Sequence, residues 1–155
     1  MNVIEYFASD RQAHWLAQIE KSDWSAGGLL HYLLKSGEFF NAVGTGSKVL
    51  LLVDGDTLVS YCTYAKKDDI PQTELSPWVG FVYTFPAYRG HRYVGVLFAE
   101  ADRLAREEGV SAYYVSTNHV GLYEKYGCTY LTQAKDFEGE WSRIYRRIVP
   151  AETGC

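Results

Sequence analysis

"WVGFVYTFPAYRGHRYVGVLFAEADRLAREEGVSAYYVSTN", residues 78–118, is the stretch whose reading decides the fold. It reads as strand, turn, helix, strand. "WVGFVYTF" is apolar and β-rich, and Pro86 marks its end. The chain then turns through Arg89-Gly90 into a helical pattern. Leu97, Ala101, Leu104 and Ala105 share one face of it, and Gly109 closes it. "AYYVSTN" is a second buried strand. Two strands joined through a helix lie parallel, with a right-handed crossover. The turn also carries a chemical signal. Backbone N–H groups are free at a helix N-terminus, and the helix dipole adds partial positive charge, so such a turn suits a phosphate. Arg89, His91 and Arg92 cluster there, although that end of an isolated helix disfavours cations. An external anion would neutralise both arginines; a solvated pair is the alternative.

Outward from this unit, "KVLLLVDGDTLVSYCTYA" at 48–65 gives two apolar runs around Asp54-Gly55, a hairpin signal. "KKDDIPQTELSP" follows as a polar loop. "NVIEYF" reads as a short first strand. "SDRQAHWLAQIEKSD" is a helix with Ser9 and Asp10 as caps. "WSAGGLLHYLLKSGEFFNAVG" is a second helix, interrupted at Gly27-Gly28 or Gly37. Beyond residue 118, "HVGLYEKYG" is a short helix, and "CTYLTQAKDF" and "WSRIYRRIV" form a closing strand pair. The order is β-α-α-β-β-β-α-β-α-β-β. The expected fold is α/β (α+β), one domain over residues 1–155, with a mixed central sheet of six to seven strands.

Composition narrows the function. The chain has 155 residues, 47% apolar and 22% charged, as in ordinary globular proteins. A net charge of −4 disfavours nonspecific nucleic-acid binding and a basic membrane-surface role. The run "VLLLV" is far too short to span a bilayer, and "MNVIEYFASD" lacks the pattern of a signal peptide. Cytoplasmic residence is the expectation. Cys62, Cys128 and Cys155 are odd in number and lack C-x-x-C spacing, against a disulfide framework or zinc ribbon. His14, His31, His91 and His119 show no ligand spacing, so no metal is expected. "GTGSKV" at 44–49 lacks P-loop spacing and precedes a strand.

A second segment joins the first. "VSTNHVGLYEKYGC" ends a strand at Asn118, carries Tyr123 on a short helix and stops at Gly127. In this order the two segments resemble the GNAT superfamily of N-acetyltransferases. "YTFPAYRGHRYVGVLF" is similar to that family's V-x-P-x-Y-R-G strand end and CoA-binding turn, and the second segment to its Asn followed by L-Y-E-K-x-G-F. The likeness covers residues 47–131 best. There are departures: the family turn is roughly R-G-x-G-x-G, and here Arg92 and Val94 replace the later glycines, with Gly95 one place beyond. Fewer glycines should narrow a pyrophosphate cradle, and Arg92 could compensate through charge-assisted hydrogen bonds. Cys128 stands where the family has Phe.

The resemblance implies direct acetyl transfer from acetyl-CoA to an amine of a small molecule or peptide. In the family the strand before the turn splays from its neighbour and binds the pantetheine arm through its backbone. Carried over, this is the main chain of Val82, Tyr83 and Thr84. Arg89, Gly90, His91, Arg92, Tyr93, Val94 and Gly95 would surround the pyrophosphate, and Asn118 the pantetheine or adenosine side. Tyr123 matches the tyrosine that protonates the departing thiolate, and an ordinary tyrosine is protonated at neutral pH. No base is assigned: the strand has no carboxylate, and Asp68, Asp69 and Glu74 read as solvated loop charges. Trp24, Phe39, Phe40, Trp78 and Trp141 are candidates for the acceptor wall, or for core. Family analogy adds a homodimer through the C-terminal strands. The competing readings are a non-catalytic acyl-CoA-binding module, and a CoA-independent domain that shares only the architecture.

Overall fold

The computed structural model describes residues 1–151. A seven-stranded sheet has the order β1-β2-β3-β4-β5-β7-β6. Its strands are β1 (Asn2–Glu5), β2 (Lys48–Asp54), β3 (Thr57–Ala65), β4 (Trp78–Thr84), β5 (Ala112–Thr117), β6 (Cys128–Lys135) and β7 (Trp141–Ile148). The helices are α1 (Gln12–Glu20), α2 (Ser25–Ser36), α3 (Phe39–Val43) and α4 (Val94–Glu107). The expected order of elements holds. All neighbouring strands are antiparallel except β4 and β5, which are parallel across the α4 crossover.

Helix α4 covers one face of the sheet. Leu97, Phe98, Ala101, Leu104 and Ala105 recur at helical spacing and pack on Leu50, Leu52, Val59, Val79, Tyr113 and Val115. Burial of each large side chain contributes about 1.5–3 kcal/mol. Helices α1, α2 and α3 cover the other face, with Trp15, Ile19, Leu30, Phe39 and Val43 against Val49, Leu51, Tyr61 and Tyr83. Loop 66–77 covers the far side of the β5–β7 half, where Ile70, Trp78 and Ile144 meet. One buried ion pair binds the halves together. Arg147 donates from Nε and Nη2 to the Asp102 carboxylate at 2.8 and 2.7 Å, and Tyr113 Oη donates to the same group at 2.9 Å.

Two local expectations are corrected and a third is decided between its alternatives. Neither Ser9 nor Asp10 is the N-cap of α1. Arg11 holds that place without a side-chain cap bond, because Ser9 Oγ accepts from the Arg11 N–H instead. The β2–β3 turn is centred on Gly55-Asp56, since Asp54 pairs with Thr57; Gly55, at φ +59°, supplies the left-handed residue. The second helix breaks at Gly37, which takes φ +79° as the C-cap of α2, while Gly27 and Gly28 stay helical. Cys62 and Cys128 are buried free thiols; Cys155 lies outside the described residues. No helix of the described residues is long and apolar enough to cross a membrane.

Candidate active site

The site begins where the sheet comes apart. Strands β4 and β5 share only the register pair Trp78 with Tyr114. Beyond it the two strands diverge, so the backbone of β4 from Gly80 to Thr84 has no partner on that side. A bulge sharpens the divergence. Tyr83 pairs with Tyr61 and Gly80 with Thr63, leaving Phe81 and Val82 opposite Cys62 alone. Phe81 takes φ +50°, a conformation that costs a non-glycine residue of order 1–3 kcal/mol. The fork opens into a cleft of about 1370 Å³.

At one end of the cleft is the turn into α4. Gly90 takes φ +87° and Arg92 φ +59°. Arg92 therefore adopts the left-handed backbone of the glycine it replaces. Val94 is the first residue of α4, where no glycine is required. Among the described residues, the N–H groups of Gly90, His91, Arg92, Tyr93 and Val94 donate to no protein acceptor. That run of free donors at a helix N-terminus fits a pyrophosphate.

The two arginines have protein partners. Arg92 donates to the Lys125 carbonyl at 2.7 Å and lies over the Tyr126 ring. Arg89 donates from Nε to the Thr84 carbonyl at 2.9 Å, lies over the Tyr83 ring and approaches Asp23 at 3.7 Å. The anion-binding capacity of the turn thus rests first on backbone. Val82, Tyr83, Thr84, Arg89, Gly90, Arg92, Tyr93, Val94 and Asn118 line the cleft, together with Tyr123. His91 and Gly95 do not. The His91 ring stacks on Tyr93, and Gly95 lies under the Tyr126 ring, which a Cβ there would meet at 3.4 Å.

Tyr123 stands on a helical turn, Tyr123–Tyr126, that Gly127 ends in the left-handed conformation. Its ring is buried beside Phe98 and Tyr145. Burial, with smaller contributions from Cys62, Cys128 and Asp68, pushes its hydroxyl well above the ordinary tyrosine range. It stays a proton donor at any physiological pH. The turn is held by Arg147, whose Nη1 donates to the Tyr126 carbonyl.

The rest of the cleft lining is acidic and assembled from distant segments. Asp23 and Trp24 come from the α1–α2 junction, Asp68 and Asp69 from loop 66–77, and Asp136, Phe137 and Glu138 from the β6–β7 turn. Tyr83 Oη donates to Asp23, and Trp24 stacks on the Tyr83 ring. Of the aromatic candidates for this wall, only Trp24 lines it. Phe39 and Trp78 are core, Phe40 packs on Phe7, and Trp141 lies under Lys135 on β7.

Asp68 and Asp69 are not solvated loop charges. Both are half-buried. Burial, then the neighbouring Asp69 carboxylate, pushes Asp68 up to about 7. Burial also raises Asp69, and its Oδ1 is buried without a hydrogen-bond partner. The sequence carried little signal for them, since what buries the pair is Gly80 and the chain around it, distant in sequence. Glu74 is exposed, as expected.

A family model, the acetyltransferase (GNAT) domain, matches residues 35–131, more than half of the chain. The chain belongs to the GNAT acetyltransferase family. Solved GNAT structures share its fold over nearly the full length. Aminoglycoside 6'-acetyltransferase type Ii has a TM-score of 0.69 at 13% identity, over 98% of this chain and 99% of that one. An acetyltransferase from Streptococcus agalactiae has a TM-score of 0.65 at 16% identity, over 95% and 97%. An aminoglycoside 6'-N-acetyltransferase complexed with coenzyme A has a TM-score of 0.64 at 11% identity, over 99% and 100%. A search of curated protein sequences found no significant match. Among the described residues, no cluster of His, Cys, Asp and Glu is arranged to hold a metal ion.

Proposed function

We propose that this GNAT protein is an acetyl-CoA-dependent N-acetyltransferase acting on a primary amine, with both substrates held together in one cleft. The observation that carries this reading is the fork. Bare β4 backbone runs from the turn at Gly90 along a cleft that carboxylates and Tyr123 also line. The free N–H groups of the turn would hold the pyrophosphate. The unpaired edge of Val82, Tyr83 and Thr84 would bond the pantetheine amides as another strand would. Asn118, exposed at the end of β5, flanks the same channel. The thioester then reaches the fork, and the acceptor enters over Asp23, Trp24 and Asp69. Carboxylates at that end favour a cationic acceptor, and the amine's neighbours in the solved relatives' names are aminoglycosides.

The chemistry follows from position. The amine lone pair attacks the thioester carbonyl carbon and forms the C–N bond. The C–S bond breaks, and Tyr123 gives its proton to the sulfur while recovering one from the amide nitrogen. Holding both reactants in line is worth up to about 7–11 kcal/mol in favourable cases.

Titration calorimetry with acetyl-CoA, followed by thiol release over a panel of primary amines, tests the proposal. Micromolar binding with turnover on at least one amine is expected, and Tyr123→Phe should bind acetyl-CoA as tightly but turn over about 10²–10⁴-fold more slowly. Binding without turnover on any amine would favour the non-catalytic module. No binding would remove the assignment.

A further inference from the structure

The ammonium form of an amine cannot attack, so some group at the fork must accept its proton. Strand β4 offers none, since "WVGF" has no carboxylate. The structure fills that lack from outside the strand. Loop 66–77 folds back over β4 so that the Asp68 carboxylate rests directly on Gly80. A Cβ at Gly80 would lie 1.9 Å from Asp68 Oδ1. Only glycine leaves that space. Gly80 is two residues past Trp78, where the β4–β5 pairing ends, so the carboxylate sits at the apex of the fork. Tyr123 lines the same cleft, and the charge on Asp68 reaches its hydroxyl.

We propose that Asp68, seated on Gly80 by loop 66–77, is the catalytic base that takes the proton from the acceptor ammonium; this rests on the acetyltransferase reading above. The ammonium gives one proton to the Asp68 carboxylate, and the freed lone pair forms the C–N bond. The later proton exchange with the sulfur passes through Tyr123. Asp68 then returns its proton to solvent, which accounts for the one proton the net reaction releases.

Two other carboxylates of the cleft, Asp23 and Asp136, are otherwise engaged. Asp23 accepts from Tyr83 at the mouth. Asp136 Oδ1 accepts from the N–H groups of Glu138 and Glu140 at 2.9 and 3.0 Å. Glu74 does not line the cleft. The group that acts on Asp68 is the neighbouring Asp69 carboxylate, and Tyr123, Ser116, Asp136 and Glu138 line the same cleft. None is a cation, so nothing there holds Asp68 ionised as an ion pair would. A base poised near neutrality is what proton transfer at physiological pH requires.

The test compares two probes that differ in protonation. Ethanolamine, a monoamine, is almost wholly protonated at neutral pH and needs a base. Hydroxylamine arrives neutral and does not. Thiol release is measured with both on wild type, Asp68→Asn and Gly80→Ala, after calorimetry has established acetyl-CoA affinity. Asp68→Asn should lose about 10²–10⁴-fold in kcat with ethanolamine, keep hydroxylamine transfer within about threefold, and lose the acidic limb of the wild-type pH profile. Gly80→Ala, which displaces the carboxylate, should follow it. Equal loss with both probes would reduce Asp68 to a structural role and overturn the proposal. Retained ethanolamine transfer in Asp68→Asn would overturn it also. Wild-type protein that binds acetyl-CoA but acetylates neither probe, or that binds none, would remove the transferase reading itself, and the base with it.

Discussion

The proposed donor end of the cleft is built from backbone within one run of chain, residues 82–95. The proposed acceptor end is built from side chains of segments far apart in sequence, 23–24, 68–69 and 136–138, all of which line the cleft. The first presents N–H groups and an unpaired strand edge. The second presents carboxylates and a stacked tryptophan. This difference separates what each end can tolerate. A backbone site survives side-chain replacement as long as φ and ψ are kept. A side-chain site is rewritten by single substitutions while the fold stands.

The sharpest way to break the comparison is at the point where the ends meet. Tyr123→Phe keeps the ring that packs on Phe98 and Tyr145 and removes only the proton. Turnover should fall about 10²–10⁴-fold with acetyl-CoA affinity and thermal stability unchanged. A parallel loss of acetyl-CoA affinity in calorimetry would mean that Tyr123 belongs to the donor end as a binding residue.

Gly90→Val attacks the donor end through its backbone. Gly90 stands at φ +87° with open space around its Cα, so the strain is conformational and not steric. A β-branched residue there should push the turn out of shape and turn its N–H groups away. We expect acetyl-CoA affinity to weaken about 10–100-fold, corresponding to about 1.4–2.8 kcal/mol. Hydroxylamine and ethanolamine should suffer alike, since the acceptor end is untouched.

Asp23→Asn attacks the acceptor end through a side chain. It removes the charge that Tyr83 and Arg89 share. The KM for a protonated amine should rise about three- to tenfold, within the range of one ordinary solvent-exposed hydrogen bond. Acetyl-CoA affinity should stay within about twofold. A larger fall in acetyl-CoA affinity would show that Arg89, released from Asp23, has been drawn into the donor site.

Asp68 links the acceptor end to stability. Its folded-state pKa of about 7 lies above the ordinary carboxyl value of 3.8. The folded state therefore binds the proton more tightly than the unfolded chain. The stability this contributes is fully present below the unfolded value and is lost as pH rises through 7. Asp68→Asn removes that loss. Its melting temperature should exceed wild type by about 2–5 °C at pH 8 and converge with it near pH 4. A variant less stable than wild type at pH 8 would mean that the carboxylate is held by attraction, against the burial described above.

How much of this was legible follows from the same contrast. The parallel pair around α4, the short helix with Tyr123 and the closing hairpin could be read from local patterns because each depends on neighbours in sequence. The fork could be expected only through family resemblance, because it arises from the absence of pairing. The acceptor end could not be assembled, because what buries Asp68 is Gly80, twelve residues on, together with a turn near residue 136. Read locally, "KKDD" is an exposed charge run. Trp78 and Phe39 misled in the opposite direction. Their size suggested a binding wall, but their positions on an interior strand and an inward helix face bury them as core.

Arg92 tests the comparison most finely, because glycine counting misjudged it. The turn wants a left-handed residue at that place, and Arg92 supplies one at φ +59°. That backbone costs a non-glycine residue about 1–3 kcal/mol. The guanidinium offsets part of the cost through its bond to the Lys125 carbonyl at 2.7 Å and its contact with the Tyr126 ring, each worth about 0.5–1.5 kcal/mol at an exposed site. Arg92→Gly should therefore be close to neutral: melting temperature within about 2 °C, and acetyl-CoA affinity within about threefold. If backbone alone builds the donor end, restoring glycine changes little because the N–H groups already point into the cleft. If affinity instead falls by more than tenfold, the guanidinium leaves Lys125 for the pyrophosphate when acetyl-CoA binds, and the donor end is partly a side-chain site like the other.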